Sequence, residues 1–175
     1  MYQKVLVALD SSSMRSTVFR QALDLAQATG ADLMLLHVLS AFEEGSPGVP
    51  LRSYHTYYPV LDESTWEAYQ HRWEAYEQSG IDQLKREQQT AADAGVNAEF
   101  TQTSGEPPRT ICEVAKNWGA DLIVVGSHGR KGLSELLLGS VSNYVMHHAP
   151  CSVLVLHANK AGTKVTSEMA EATAQ

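Results

Sequence analysis

Several features that would settle the function of a protein at once are missing from this chain of 175 residues. No apolar run approaches the roughly 20 residues that a membrane-spanning helix needs. Cysteine occurs only at Cys112 and Cys151, which predicts neither a zinc site nor a disulfide framework. The Walker A pattern, Gly-x-x-x-x-Gly-Lys followed by Ser or Thr, is also absent, so the most familiar phosphate-binding loop is excluded.

Positive charge is scarce as well, since 13 lysines and arginines stand against 20 carboxylates and give a formal net charge of −7. Such a balance argues against binding to nucleic acid or to an anionic membrane. A small phosphate ligand stays compatible with it, because backbone N–H dipoles at a helix start can hold an anion. A strand-like run near Met1 leaves no room for a signal peptide, and we therefore expect a cytoplasmic protein.

Short apolar runs alternate with segments of helical periodicity, which predicts an α/β fold with a parallel sheet and helices on both faces. The predicted strands are 5–9, 33–39, 96–103, 122–125 and 152–156, and residues 62–94 read as one long helix. Residues 159–175 have almost no large apolar side chains. We expect one domain over 1–158, with a long loop and an aromatic helical segment at 41–79, and a disordered tail after it.

The strongest functional signal is a glycine-rich loop after the fourth strand: Gly126-Ser127-His128-Gly129, nine residues, then Gly139-Ser140. Glycines can adopt positive φ and let the backbone approach an anion. Ser140 is expected to cap the following helix and to donate its hydroxyl to a phosphate. The plain alternative is an ordinary β–α loop in which the glycines only make turns.

Asp10 follows the first predicted strand in the same way that Gly126 follows the fourth. Ligands of parallel sheets sit beyond the carboxyl ends of the strands, where the strand order reverses. If these two strands are neighbours, a carboxylate and a phosphate loop share one cleft. The alternative for Asp10 is a plain helix cap, and the two roles are compatible.

The spacing of the glycine loop resembles the ATP-binding branch of the universal stress protein family. The resemblance spans roughly residues 1–40 and 80–157 and includes the opening Lys4-Val5-Leu6-Val7-Ala8-Leu9-Asp10. It implies a five-stranded parallel sheet of order 3-2-1-4-5, the Rossmann-like fold of the adenine nucleotide alpha hydrolase type. It also implies a homodimer, formed through the last strand at 152–156.

The resemblance also implies roles for individual residues. Asp10 would lie by the ribose and adenine, and Val38 would meet adenine through its backbone. Phosphates would be held by Gly126, Gly129, Gly139 and Ser140, with Ser127, Val141 and Ser142 beside them. Independently of the resemblance, Arg130 and Lys131 lie inside the loop, where either could neutralise a phosphate, and the alternative is that both are solvated charges. The ligand would be ATP, ADP or AMP, and any Mg²⁺ would arrive with the nucleotide. The sequence contains no cluster of histidines and cysteines that would predict a resident metal.

The predicted function is that of a stress-response protein that binds an adenine nucleotide and signals through its bound state. Only slow ATP hydrolysis is expected, since no general base or arginine finger stands out in the sequence. Two alternatives stay open. One is a dimeric interaction module that binds no nucleotide, and the other is a flavodoxin-like redox carrier with a flavin phosphate held by residues 11–17.

The segment 41–79 departs from a minimal member of this family. It contains more than half of the aromatic residues of the chain, among them Tyr54, Tyr57, Tyr58, Trp66, Tyr69, Trp73 and Tyr76. The last four, here called the aromatic stripe, follow a spacing that places them along one side of a helix. We expect this stripe to pack on the protein's own sheet, and the alternative is a surface for a second subunit.

Overall fold

A computed structural model of the chain describes residues 1–48, 63–127 and 139–157. Within those ranges strands and helices alternate as predicted. The elements are β1 (Lys4–Ala8), α1 (Arg15–Thr29), β2 (Asp32–Leu39), α2 (Glu63–Asp93), β3 (Ala98–Ser104), α3 (Pro107–Trp118), β4 (Leu122–Gly126), α4 (Ser140–His148) and β5 (Ser152–Leu156). Tyr54, Tyr57, Tyr58 and the tail at 159–175 lie outside the described residues.

The strands form one parallel sheet in the order β3-β2-β1-β4-β5, which confirms the expected topology. β1 lies at its centre, and Val5, Leu6 and Val7 are fully buried there. A strand covered on both faces needs apolar residues at every position, which explains why β1 reads as a continuous apolar run. The neighbours of β1 are β2 and β4, so the first and fourth strands lie side by side.

Each face of the sheet has its own layer of helices. Val5 and Val7 face the core formed with α1 and α2, to which Phe19 and Leu84 contribute. Leu6 faces the opposite core, formed with α3 and α4. Successive side chains of a strand point to opposite faces, so one short run supplies both cores.

Glycine and proline mark the helix ends where the sequence places them. Gly30 and Gly119 end α1 and α3 in the left-handed conformation, with φ of 73° and 75°. Pro107 opens α3, where its missing N–H costs no helical bond. The predicted strand starts lie within one residue of the observed ones except for β3, which begins at Ala98, because Val96 N–H closes the turn after α2 on Ala91 O at 2.9 Å.

The aromatic stripe packs on the sheet only in part. The ring of Tyr76 lies edge-on to that of His37 in β2, with centroids 6.3 Å apart. Successive rings of the stripe also contact one another, with centroids 5.5 to 6.3 Å apart, and Trp66 is 45% exposed. Burial within α2 begins only at Gly80 and continues at Leu84 and Ala91. The reason is length, since a helix of 31 residues extends about 46 Å. The longest strand, of eight residues, spans only about 26 Å.

None of the helices in the described ranges combines the length and the apolar character that a bilayer crossing demands.

Candidate functional site

A cavity of about 640 Å³ lies at the carboxyl ends of β1 and β4, where the order of the sheet reverses. Ligands of open α/β sheets bind at this position. The predicted site residues that line it are Asp10, Val38, Gly126, Ser127, Gly139, Ser140, Val141 and Ser142. Gly129 and Arg130 lie outside the described residues. A second cavity, of about 360 Å³, lies at the amino ends of β2 and β3, away from all of these residues.

The β1–α1 turn, residues 10–14, brings Asp10 to the cavity. The Asp10 carboxylate accepts hydrogen bonds from the N–H and the hydroxyl of Ser12, at 3.1 and 2.6 Å. The Ser12 hydroxyl in turn accepts a bond from Met14 N–H at 3.2 Å. Asp10 therefore orders the turn, and Ser12 is the residue that bonds to the backbone where α1 is about to begin.

Arg15 supports this turn from beneath, a role that the sequence does not signal. It is 9% exposed, and its guanidinium donates two bonds of 2.8 Å to the carboxylate of Glu87 on α2. A third bond, of 3.3 Å, reaches Asp10 O. Arg15 lines the cavity, but its charge is already paired with Glu87, so it braces the turn against α2.

The two ends of the glycine loop meet at the carbonyl of Ser127. That oxygen accepts bonds from Gly139 N–H at 2.7 Å and from the Ser142 hydroxyl at 3.3 Å. Ser127 N–H is bonded to Leu156 O of β5 at 2.7 Å. Ser127 and Ser142 are each 1% exposed, so in this structure they close the base of the loop.

Positive φ does not explain the glycines of this loop that the structure describes. Gly139 has φ of −61°, and Gly126 is not among the described glycines with positive φ, so neither uses the left-handed conformation that glycine permits. Close approach explains Gly139, because a Cβ there would lie 2.7 Å from Ser127 O. A Cβ at Gly126 would lie 3.4 Å from a Val18 methyl, at the cavity wall.

Ser140 begins α4 rather than capping it, which corrects the expected cap. Gly139 occupies the N-cap position, and the first intrahelical bond runs from Asn143 N–H to Gly139 O at 2.9 Å. The N–H groups of Ser140, Val141 and Ser142 therefore have no acceptor within the helix. All three residues line the cavity, where their N–H groups and the helix dipole favour an anion.

Val38 lies across the cavity from α4, near the end of β2. Val38 is 8% exposed and its side chain belongs to the core, so only its backbone N–H and C=O are available to a ligand. Leu36 O accepts a bond from Leu9 N–H at 2.8 Å, one residue beyond the last pair of β1 with β2. Residues two apart in a strand direct their peptide groups the same way. The N–H and C=O of Val38 therefore face the space beyond the end of β1.

Carboxylates dominate the charged part of the described cavity wall. They belong to Asp10, Glu43, Glu44 and Glu106, against the paired cation of Arg15. An anionic ligand would have to avoid these groups and bind toward α4. A planar apolar part of a ligand could pack against the other side of the wall, which includes Leu36, Ile111 and Val125.

Sequence reasoning missed Glu43, and it also missed the pairing of Arg15 with Glu87. The carboxylate of Glu43 accepts a bond of 2.6 Å from Ser11 N–H, inside the β1–α1 turn. The turn is thus braced by Glu43, which follows β2, and by Glu87 of α2. No spacing along the chain signals such pairs, because 72 positions separate Arg15 from Glu87.

A family model described as "Universal stress protein family" matches residues 1–157. Universal stress protein Sll1388 of Synechocystis is 36% identical over 155 residues, covering 89% of this chain and 97% of that protein. Universal stress protein YxiE of Bacillus subtilis is 37% identical over 161 residues, covering 89% of this chain and 99% of that protein.

Solved structures share the fold. Universal stress protein UspA from Lactobacillus plantarum superposes with a TM-score of 0.68 at 29% identity, over 89% of this chain and 97% of that one. A universal stress protein in complex with cAMP superposes with a TM-score of 0.56 at 24% identity, over 89% of this chain and 97% of that one. A family member from Arabidopsis thaliana with AMP bound superposes with a TM-score of 0.58 at 21% identity, over 94% of this chain and 97% of that one. At such identities the last two show the fold alone.

The family match takes in all the strands of the sheet and both loops that flank the cavity. The relatives from Synechocystis and Bacillus align over nearly their whole length, so the likeness is not confined to one motif. The chain therefore belongs to the universal stress protein family.

Proposed function

We propose that the cavity binds an adenine nucleotide and that the protein is a cytoplasmic stress-response protein that signals through its bound state. The observation that carries the proposal is the convergence of three different groups on one cavity. These are the Asp10 carboxylate, the outward-facing peptide groups of Val38, and the N–H groups at the start of α4. A nucleotide has matching parts, since its ribose offers hydroxyls, its base a polar edge and its phosphates negative charge.

The orientation follows from the charges of the wall. Phosphates lie at α4, where Ser140, Val141 and Ser142 offer N–H groups. The base lies against the apolar side, toward Val38, and the ribose lies between them near Asp10. A volume of about 640 Å³ falls within the range of ordinary small-ligand pockets. The related proteins with bound cAMP and AMP are consistent with an adenine ligand.

We propose ATP, ADP or AMP as the ligand, with Mg²⁺ carried on the phosphates. Within residues 1–48, 63–127 and 139–157, no group of three or more histidine, cysteine or acidic side chains is placed to hold a metal ion. A cation would therefore keep much of its water. We propose at most slow hydrolysis, because Arg15, the one cation of the described wall, is already paired and phosphoryl transfer needs a cation at the developing charge.

Mass spectrometry of the small molecules released from freshly purified, denatured protein tests the binding proposal. We expect an adenine nucleotide in the released fraction, or ATP binding on calorimetric titration of stripped protein. A protein that releases no nucleotide and binds none on titration would instead be a nucleotide-independent interaction module. A yellow preparation that releases flavin would favour the redox carrier.

We also propose a homodimer formed through β5. This strand is at the edge of the sheet, where backbone N–H and C=O groups can pair with a second copy. Leu154 is 38% exposed there, between the half-buried Val153 and Val155. Bound nucleotide would favour one arrangement of the loops or of the dimer and so produce the signal.

Light scattering of two matched variants tests the interface. Leu154→Asp is expected to convert the dimer to a monomer, because it places a charge in the contact. Trp66→Asp, at a similarly exposed residue of the aromatic stripe, should leave the dimer intact. The reverse result would move the interface to the stripe, and a wild-type monomer at micromolar concentration would contradict dimerisation.

A further inference from the structure

Two neighbours in the segment after β2 reverse the usual placement of polar and apolar side chains. Phe42 is 81% exposed, whereas the side chain of Glu43 is only 8% exposed. A phenyl ring is normally buried in a core, and a carboxylate normally stays in water. Both residues line the cavity of the candidate site, so the reversal occurs at the wall of that cavity.

Contacts with three elements hold Glu43 in its buried position. Its carboxylate accepts a bond of 2.6 Å from Ser11 N–H, in the β1–α1 turn, and another from the hydroxyl of Tyr76 on α2. One of its oxygens also lies 3.0 Å from Nε2 of His37, a buried residue of β2. The segment after β2 is therefore anchored at Glu43, and this anchor limits the positions that Phe42 can take.

Local hydrogen bonds order the backbone around Phe42. A β-turn from Ser40 to Glu43 is closed by a bond of 3.1 Å from Glu43 N–H to Ser40 O. Phe42 N–H donates to the Ser40 hydroxyl at 3.3 Å. The Ser46 hydroxyl donates to Ala41 O at 2.8 Å. Because this turn is already ordered and anchored, a ligand that contacts the ring has little backbone left to immobilise.

Phe42 differs from the other large hydrophobic side chains that are exposed in the described ranges, because it alone of them lines the cavity. Tyr144 is the other aromatic residue of the described wall. It lies on α4, toward which the phosphates are proposed to bind, and its ring is stacked on that of His148 with centroids 3.9 Å apart. A single exposed aromatic residue needs no explanation on an open surface. One that lines a cavity is placed to contact what fills it.

The charges around Phe42 decide which part of a nucleotide can approach it. Glu43 and Glu44 follow it directly in the chain, and both line the same cavity. Carboxylates repel phosphates, which the start of α4 attracts instead. The base is neutral, and its proposed polar partner, the backbone of Val38, precedes Phe42 by only four residues. The base is therefore the part of the ligand that suits this side of the cavity.

We propose that Phe42 stacks on the base of the bound nucleotide and gives the site a preference for purines. This inference rests on the proposed function. The aliphatic side of the wall belongs to the core on the α3 and α4 side of the sheet. Glu43 ties the turn of Phe42 to α2, which covers the opposite face. A base at the carboxyl edge of the sheet therefore contacts aliphatic side chains on one side and the ring of Phe42 on the other.

Calorimetric titration with ATP and with CTP measures the contribution of the ring. Phe42→Ala is expected to weaken ATP binding about tenfold, an ordinary value for a base stacked on an aromatic side chain. CTP should lose less than about threefold in affinity, because a pyrimidine presents a smaller flat face. Phe42→Trp keeps a flat ring and should bind ATP within about threefold of the wild type. Trp66→Ala removes an exposed ring that does not line the cavity and should follow the wild type.

Tryptophan fluorescence of Phe42→Trp gives an independent readout. Stacking on a base quenches indole emission, so ATP should lower the emission of this variant more than that of the wild type, which has three tryptophans. No added quenching, an equal loss of affinity for ATP and CTP, or unchanged ATP binding in Phe42→Ala would overturn the inference while leaving nucleotide binding intact. A lower urea midpoint in Phe42→Ala would assign the ring to packing of the turn instead. A wild type that binds no ATP would overturn the proposed function, and this inference with it.

Discussion

The two loops that flank the cavity are held in place by different means. The glycine loop is closed by its own residues, since Gly139 N–H and the Ser142 hydroxyl both bond to Ser127 O. The β1–α1 turn is braced from a distance, by Glu43 after β2 and by the pairing of Arg15 with Glu87 on α2. The first arrangement depends on local spacing and the second on correct packing of α2 against the sheet.

Because the two loops are held differently, we expect mutations in them to have different effects on binding and folding. A change in the glycine loop should affect binding more than folding, because few distant elements depend on its ends. A change in the braces of the β1–α1 turn should affect folding first and binding through it. The following predictions, from the largest expected effect to the smallest, test whether this division holds.

Arg15→Ala is expected to lower the free energy of unfolding by about 3 kcal/mol, because it leaves Glu87 as a buried charge without its partner. The two side chains are only 10% and 15% exposed. Urea unfolding measures the change. Arg109→Ala breaks a surface ion pair of 3.1 Å whose side chains are 66% and 64% exposed, and should cost less than about 1 kcal/mol. Equal losses in both variants would show that burial does not matter to this brace.

Gly139→Val is expected to weaken ATP binding at least about 100-fold, which is the value of about two charged hydrogen bonds. Its Cβ would lie 2.7 Å from Ser127 O and must displace the start of α4 with its N–H groups. The same direction is expected for Gly126→Val, whose methyls would enter the cavity.

Calorimetry on folded protein measures this loss, with Gly48→Val as the matched control. Gly48 is an exposed glycine whose added Cβ would meet nothing within 4 Å, and it does not have positive φ. Unchanged affinity in Gly139→Val would remove the phosphate site from the glycine loop. A loss of stability larger than that of Arg15→Ala would break the division between the two loops.

Ser142→Ala is expected to cost about 1 kcal/mol of stability and to weaken ATP binding by no more than about fivefold. The variant removes the hydroxyl bonds to Ser127 O and Gly139 O, while Gly139 N–H still closes the loop. Urea unfolding and calorimetry check both values, with Ser16→Ala on the exposed side of α1 as control. A 100-fold loss of affinity would instead mean that the Ser142 hydroxyl itself binds phosphate.

The sequence supports prediction of the features that local spacing determines. Apolar runs such as Val5–Val7 predict buried strands, Gly30 and Gly119 predict helix ends, and the glycine spacing predicts a loop beside α4. The order of the sheet is implied by the family resemblance and confirmed by the structure. These features can be predicted from the sequence because each depends on residues that are close together in the chain.

Features that depend on tertiary packing could not be predicted from the sequence. His37 stands inside an apolar strand, and its partners Glu43, Tyr76 and Gln102 come from separate elements. The spacing of the aromatic stripe gives one side of a helix but not the length of sheet available to cover it. Gly139 does not use the positive φ that a glycine permits, because the constraint there is a neighbouring carbonyl oxygen, which no local spacing reveals.

The smallest expected effect separates the ribose role of Asp10 from its role in the β1–α1 turn. Asp10→Asn keeps an oxygen that can accept both bonds from Ser12, so stability should change by less than about 0.5 kcal/mol. A neutral acceptor binds ribose hydroxyls less strongly, so ATP affinity should fall about threefold, as calorimetry can measure. The same substitution should leave the affinity for 2′,3′-dideoxy-ATP unchanged, because that ligand has no ribose hydroxyls to lose a contact. Asp24→Asn, on the exposed side of α1, controls for the change of charge. An equal loss for both ligands would show that Asp10 acts through the turn alone and would leave the ribose without a carboxylate partner at this position.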